Sequence, residues 1–293
     1  MNKYLIFRTD RIGDFLISSI LIKSIKSNDP KSHITIVASE KNHFYVNEFP
    51  FVDNVIKLKN NFFGKISVIL KLIRFKFNYI ILHDEKKRSK FISTFLRYNN
   101  KILFKNSNNF SHIEIIKFFL KKMNFIFYEN SLNIFEHKKN LKSSFGNYVQ
   151  LHFDEKWIFN NYIKKFINIE PSSYELFEFI KKIINKTKMN LVITTGVKTP
   201  QLLKDLSSKL DINKVKIIED SDFLKLENIA LQANILISCH GAISHVASAI
   251  NLKQIDIIDK SYNYKRWTNH FRNYNFVYRD KFSILSKNIL MKL

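Results

Sequence analysis

The chain has 293 residues, 45% of them hydrophobic, enough to bury a substantial core and long enough for two domains, which excludes a disordered tail. Its 48 Lys and Arg against 25 Asp and Glu leave a net charge of +23, which points to an anionic partner, although abundant Lys, Asn, Ile and Phe with scarce Gly and Pro also reflect a coding bias toward AT-rich codons. One cysteine, Cys239, excludes an internal disulfide and a multi-cysteine zinc cluster and fits a reducing compartment, with the cytoplasm as the expected location.

In chain order, Lys3 to Phe7 is an apolar run that predicts a buried first strand. Arg8, Asp10 and Arg11 interrupt it too early for a signal peptide. Phe15, Leu16, Ile20, Ile22 and Ile25, interleaved with Lys23 and Lys26, predict a helix with one packed face, and Gly13 and Asp14 stand at its N-terminus, where backbone N–H groups are exposed. Strands follow at His33–Ala38, Asn54–Leu58, Tyr79–His83 and Lys101–Phe104, with helical stretches between, an alternation that predicts a parallel sheet covered on both faces. The apolar region from Phe62 to Leu82 is broken by Lys65, Lys71, Arg74 and Lys76 and cannot span a bilayer. Ile66, Ile69, Leu70, Ile73 and Phe77 form a stripe at helical spacing, expected to face the core, with a membrane-surface helix as the alternative.

Phe135–Asn147 is polar, with Lys138, Lys139, Lys142, Ser143, Ser144 and Gly146, and reads as a linker that divides the chain into domains 1–145 and 146–293. A second alternating series begins at the strand Tyr148–Phe153. Ser172 and Glu175 have capping-box spacing for a helix running to Lys188, followed by the strand Asn190–Thr195. Thr199 and Pro200 supply a cap and a first-turn proline for the next helix. Lys214–Ile218, Ile235–Ser238 and a final strand Gln254–Ile258 alternate with helices at Phe223–Ala233 and Ile243–Ile250. Of only five glycines, Gly13, Gly196 and Gly241 follow strand-like runs, where a side chain is poorly tolerated.

Two Rossmann-like halves without Gly-x-Gly-x-x-Gly argue against an ordinary dinucleotide oxidoreductase. The run Arg8-Thr9-Asp10-Arg11-Ile12-Gly13-Asp14-Phe15-Leu16 resembles the N-terminal signature of glycosyltransferase family 9, the lipopolysaccharide heptosyltransferases and their relatives. Ser244-His245-Val246-Ala247-Ser248-Ala249 is similar to that family's helix after its last nucleotide-binding strand, Lys265-Arg266-Trp267 to its short Arg-Trp element, and Leu151 to Trp157 to the loop that opens its second domain. The resemblance implies an α/β chain of GT-B type, two Rossmann-like domains with parallel sheets facing across a cleft. It implies inverting, metal-independent transfer of a heptose or another hexose-like sugar from a nucleotide-sugar, expected to be ADP-linked, with no cofactor.

Under that resemblance Asp14 is the base, since an acceptor hydroxyl must lose its proton as it attacks the anomeric carbon. A plain helix cap is the structural reading of the same residue. Lys156 would meet a diphosphate oxygen, and Gly13, Gly196, Gly241, Ala242, Ser244 and His245 complete the expected binding set, His245 being equally readable as a packed structural histidine. Where the family carries an acidic residue tied to donor-sugar recognition this chain has His240, and Ala242 stands where Gly is usual. The expected acceptor is a phosphorylated glycolipid or glycan in lipopolysaccharide or other surface-glycan assembly, drawn in by Lys86, Lys87 and Arg88 at the inner face of the inner membrane. Two alternatives stand beside it: a non-catalytic GT-B-like nucleotide-binding protein, motivated by His240, and a nucleic-acid-binding protein, motivated by the charge and 28 Phe. Against the latter, the Phe residues lie in apolar runs that read as core and no RNA-recognition signature is present, so no nucleic acid is expected.

Overall fold

The structure, a computed structural model, describes residues 1–105, 109–138, 144–158 and 166–293; Lys139, Lys142 and Ser143 of the expected linker lie outside them. The described chain forms two compact units, Met1–Ile134 with Lys265–Asn269, and Phe135–Tyr264 with His270–Leu293.

The first unit is built on strands β1 (Lys3–Arg8), β2 (His33–Ser39), β3 (Asn54–Leu58), β4 (Lys76–Leu82) and β5 (Arg97–Leu103). They pair in parallel in the order β3-β2-β1-β4-β5. Its helices are α1 (Ile12–Asn28), α2 (His43–Asn47), α3 (Phe62–Leu72), α4 (Lys87–Ser93) and α5 (His112–Lys122). The second unit carries β6 (Tyr148–His152), β7 (Asn190–Thr194), β8 (Val215–Ile218), β9 (Ile235–Cys239), β10 (Lys253–Ile258) and β11 (Tyr274–Tyr278), parallel throughout in the order β11-β10-β9-β6-β7-β8. Helices α6 (Ser173–Thr187), α7 (Gln201–Ser207), α8 (Phe223–Ala230), α9 (Ala242–Ala249) and α11 (Phe282–Lys292) belong to it, while the short α10 (Lys265–Thr268) clusters with the first unit.

The order of each sheet fixes where a ligand finds room. From β1 the chain winds outward through β2 and β3, then returns to β4 on the other side; from β6 it winds through β7 and β8, then returns to β9. At each reversal the two neighbouring strands send their connections to opposite faces, leaving a crevice beyond their C-terminal ends. Those ends carry Arg8 and Leu82 in the first unit, His152 and Cys239 in the second.

Several elements depart from the sequence reading for visible reasons. Helix α1 is buried all round from Phe15 to Ile25; even Lys23 is inside, its ammonium donating to the Asn130 and Asn133 carbonyls at 3.1 and 2.7 Å. On α3 the buried face is Gly64, Val68 and Leu72; of the expected stripe, Ile69 packs against the core and Phe77, on β4, is buried in it, while Leu70 and Ile73 point outward. Thr199 bonds the Asp220 carboxylate instead of capping, and Pro200 itself is the N-cap of α7. β10 is not the last strand: the aromatic run Tyr274–Tyr278 adds an edge strand with Phe276 and Tyr278 exposed, so apolar burial gave no signal there. Residues 135–138, assigned by sequence to the first domain, cluster with the second unit because Phe135 is buried and Lys138 pairs with the buried Glu227.

Gly64, third residue of α3, has its N–H accepted by the Asn61 cap at 2.6 Å, and a Cβ there would stand 2.5 Å from the Lys59 carbonyl oxygen. Helix propensity alone favours Gly64→Ala by about 1 kcal/mol. Overpacking against backbone that cannot swing away costs roughly 1–3 kcal/mol. The crowding wins, so Gly64→Ala lowers the urea midpoint; an unchanged or raised midpoint contradicts this account.

Candidate functional site

At the β1/β4 reversal, Arg8 is buried at 3% exposure and its guanidinium organises the crevice. Its Nε donates to the Asp14 carbonyl and Nη1 to the His83 carbonyl, both at 2.8 Å. The Asp10 and Asp14 carboxylates lie 3.4 and 3.6 Å from its two terminal nitrogens. A buried charge is costly unless paired; here the two carboxylates offset it, although Nη2 makes no hydrogen bond of its own. Asp14 is the third residue of α1, not its cap; one carboxylate oxygen accepts the Arg11 N–H at 3.3 Å, and the side chain stays one-third exposed at 32%. It lines a cavity of about 280 Å³ shared with Asp10, His83, Lys86, His112 and Trp267, among others.

Asp84 is the second anchor. Its carboxylate accepts from Thr9 Oγ1, the Thr9 N–H, Ser89 Oγ and the Lys86 N–H, and burial, the largest influence on it, raises its pKa against those bonds. Arg88 donates to Thr9 Oγ1 and the Thr9 carbonyl, and Lys86 pairs with Asp10 at 3.1 Å. Two of the three cations expected to attract an acceptor are therefore fastened into the crevice wall. His83 stands beside them: Nδ1 bonds Ser18 Oγ at 2.8 Å, while Nε2 is buried with no hydrogen-bond partner. Burial first, then Arg8 and His112, push its pKa well below the usual value and keep the ring neutral. His83, Asp84 and His112 were not singled out by sequence reading. Arg266 and Trp267, known only as a short motif, join the same wall, with the indole 5.8 Å from the His112 ring.

At the β6/β9 reversal, the residues following β6 fold a cation onto the start of α9. Lys156 Nζ donates to Asp154 at 2.8 Å, and a Cβ on Gly241 would lie 2.7 Å from that nitrogen, so glycine gives the ammonium room beside the helix N-terminus. Asp154 is buried, and His152 Nε2 stands 3.4 Å from the same oxygen, Oδ2, that accepts from Lys156. Burial opposes its ionisation, but Lys156 and His152 outweigh that and depress its pKa below the usual range, and Asp154 in turn holds Lys156 protonated. The loop is clamped from beneath: Trp157 Nε1 donates to the His152 carbonyl, and Arg279 Nη2 to the Lys156 carbonyl, each at 2.8 Å. Burial pushes the Cys239 thiol up to about 12, which makes it inert.

The expected binding set divides. Gly241 caps α9, but its N–H is taken by Ser244 Oγ at 3.2 Å, and the His240 N–H by the Ile257 carbonyl. Helix geometry leaves Ala242 and Ile243 to offer first-turn donors. Ser244 is buried and donates to Asp256 at 2.8 Å, which makes it a support and removes it from the ligand set. His245 is buried, edge-on to Phe271 at 5.3 Å, the structural alternative. His240 gives Nδ1 to the fully buried Asp256 at 2.7 Å, and Asp256 also accepts from Ser238. Asp256 escaped sequence reading, although one carboxylate among Ile255, Ile257 and Ile258 was the available signal. Gly196 follows β7 with Glu155 Oε2 beside it, so an acid occupies that turn, and Gly13 lies within the first turn of α1. Among the described residues no cluster of three or more His, Cys, Asp or Glu is placed to hold a metal ion.

No family model and no curated protein matches the sequence. Solved structures do match. E. coli heptosyltransferase WaaC with ADP superposes at TM-score 0.74 and 12% identity over 99% of this chain and 100% of that one. A glycosyl transferase of family 9 from Veillonella parvula gives 0.67 at 11% identity, covering 100% of this chain and 93% of that one. E. coli ADP-heptose lps heptosyltransferase II gives 0.61 at 13% identity, with coverages of 100% and 97%. This chain has the GT-B fold of the family 9 glycosyltransferases. The likeness spans both units, so each sheet reversal described above belongs to that fold and not to a local coincidence.

Because Asp154 titrates below its unfolded value near pH ~4, its contribution to stability is complete above that value and drains as pH falls through the folded one. The urea midpoint of the wild type therefore falls more steeply between neutral and acid pH than that of Asp154→Asn. Lys156→Met, which strips the buried carboxylate of its main partner, costs about 3–5 kcal/mol at neutral pH. Parallel pH profiles for wild type and Asp154→Asn would show that the pair carries no such linkage.

Proposed function

We propose that the chain is an inverting, metal-independent glycosyltransferase that moves a sugar from an ADP-linked or related nucleotide-sugar to a lipopolysaccharide or other surface-glycan acceptor. The observation that carries this reading is Asp14: a carboxylate aimed by buried Arg8, one-third open to a cavity at a sheet reversal, in a chain with the heptosyltransferase fold. In the reaction an acceptor hydroxyl oxygen forms the new bond to the anomeric carbon as its proton passes to Asp14. The bond from that carbon to the diphosphate oxygen breaks, and the nucleoside diphosphate leaves with the electron pair.

The first unit holds the acceptor. Neutral His83, with Nε2 unspent, takes a hydroxyl of the acceptor, and Trp267 offers a flat apolar wall to a sugar ring. The second unit holds the donor. Asp154 fixes the Lys156 ammonium beside the start of α9, so a diphosphate oxygen bound there meets a fixed cation together with the Ala242 and Ile243 N–H groups. This set offsets the charge that grows on the leaving diphosphate without a divalent cation. His240, oriented by Asp256, replaces the usual acid and meets the donor sugar, which makes a sugar other than heptose a natural substrate.

Thermal melts across ADP-, GDP-, UDP- and CMP-sugars identify the donor, because a ligand that prefers the native state raises its stability by about 2.7 kcal/mol at a hundred times its Kd. With the stabilising donor, Asp14→Asn loses transfer by about a hundredfold or more while keeping the donor-induced shift. Transfer by the wild type persists in EDTA. Normal turnover by a folded Asp14→Asn protein refutes the base, and donor binding without transfer to any glycan acceptor favours the non-catalytic alternative.

A further inference from the structure

The outer face of α3 and α4 is built unlike the rest of the first unit. The two helices pack side by side on one face of the sheet, with Val68, Leu72, Ile92 and Leu96 in a common apolar cluster beneath them. Above that cluster Phe62, Phe63, Leu70, Phe91 and Phe95 are turned to solvent, between 43% and 79% exposed. Phe62 and Phe63 touch edge to face, as do Phe91 and Phe95 at 5.2 Å. These phenylalanines were expected in the core. A large exposed apolar patch on a folded unit marks a contact surface.

Charge selects the partner. Lys71 and Arg74 at the end of α3 and Lys87 and Lys90 on α4 are exposed, and burial together with Lys90 presses down the pKa of Lys101. Between Asn54 and His112 the acidic residues are Asp84 and Glu85 alone, both lining the β1/β4 crevice. Helices α3 and α4 themselves carry cations and apolar side chains and no acid; Glu40, which accepts the Asn60 N–H ahead of α3, and Glu85 stand at the edge of the face. A second copy of the chain, at +23, is repelled, and a neutral apolar partner leaves the lysines uncompensated. A bilayer with anionic headgroups meets both demands, taking phenylalanine rings at the headgroup boundary and lysines at the phosphates. Among the described residues no helix is long and apolar enough to cross a membrane, so contact would be at the surface.

We propose that the α3–α4 face, through Phe62, Phe63, Phe91 and Phe95 with their flanking lysines, docks this protein on anionic membrane. α4 begins one residue after Lys86, which pairs with Asp10 in the crevice, so docking brings the Asp14 cavity next to lipid. That consequence rests on the transferase reading; the surface itself does not.

The test is co-sedimentation of the full chain with vesicles of phosphatidylglycerol mixed with phosphatidylcholine, and of phosphatidylcholine alone, at low and physiological salt. Wild type binds the anionic vesicles and weakens with salt. Phe63→Ser with Phe91→Ser lowers that binding about tenfold or more. Lys87→Gln with Lys90→Gln flattens its salt dependence. Because these side chains are exposed, both variants keep the wild-type melting temperature and donor-induced shift, and the two proposals are read separately, one without sugar and the other without lipid. Equal binding by the phenylalanine variant, equal binding to neutral vesicles, or binding to RNA in place of vesicles overturns the assignment.

Discussion

Parallel strands cannot be joined by tight turns; each must be followed by a crossover that returns the chain to the same end of the sheet. From this constraint the two crevices follow. A sheet wound in one direction only would cover every strand end with the next connection, whereas each sheet here starts in its middle, at β1 or β6, and winds outward twice. The strand pairs β1/β4 and β6/β9 are the places where the crossovers part, and the side chains at their ends have no neighbouring connection to pack against. Polar side chains collect there because the fold leaves room for them at least cost in core packing.

Both crevices hold their geometry through buried charge, yet in different ways. In the first unit a cation is central: Arg8 is ringed by two carbonyls and two carboxylates, and Asp14 can remain half free because Asp10 shares the neutralisation. In the second unit an anion is central: Asp154 Oδ2 meets both Lys156 and His152, and the lysine is the more exposed member of its ion pair, 15% against 4%. The outward-facing group is accordingly a carboxylate at one crevice and an ammonium at the other. A proton acceptor and an anion site are what transfer from a nucleotide-sugar requires. The inner partners, Arg8 and Asp154, are too deeply buried to exchange roles with them.

Much of the fold was legible because a parallel sheet is buried on both faces and writes itself as continuous apolar runs. Asn54–Leu58 matches β3 at both ends, and β1, β2, β6, β7 and β9 match within a residue or two. Periodicity failed where burial was complete or slight. α1 has no solvent side to create a stripe, α3 carries apolar residues on both faces, and β11 is a half-exposed edge. Asp14 and Lys156 were singled out through motifs, and part of what holds each in place is nearby chain, Arg11 for the first and Asp154 for the second. Asp84, His83 and Asp256 were not, because their partners stand far away: Thr9 and Ser18 for the first two, Ser238 and His240 for the last. Spacing along the chain carries no trace of a contact made across a sheet. The same limit explains Ser244, which has a ligand's position in the first turn of α9 and a support's hydrogen bonds.

A coding bias that fills a chain with lysine devalues each lysine as evidence, and for the same reason it raises the value of each acid. With 25 Asp and Glu among 293 residues, those placed where burial makes ionisation costly persist against both composition and energetics. Asp84, Asp154, Glu227 and Asp256 are all buried, each with named donors; Asp84 and Asp154 stand at the two sheet reversals, and Asp256 lies on β10 beside β9. The absence of acids is informative in the same way. Bias alone scatters lysines over a surface and leaves acids scattered among them, but it does not clear acids from two adjacent helices and line the same face with phenylalanine rings. The acids mark where the protein holds a structured charge, and their absence from α3 and α4 marks a face whose positive charge and apolar surface are both left for a partner.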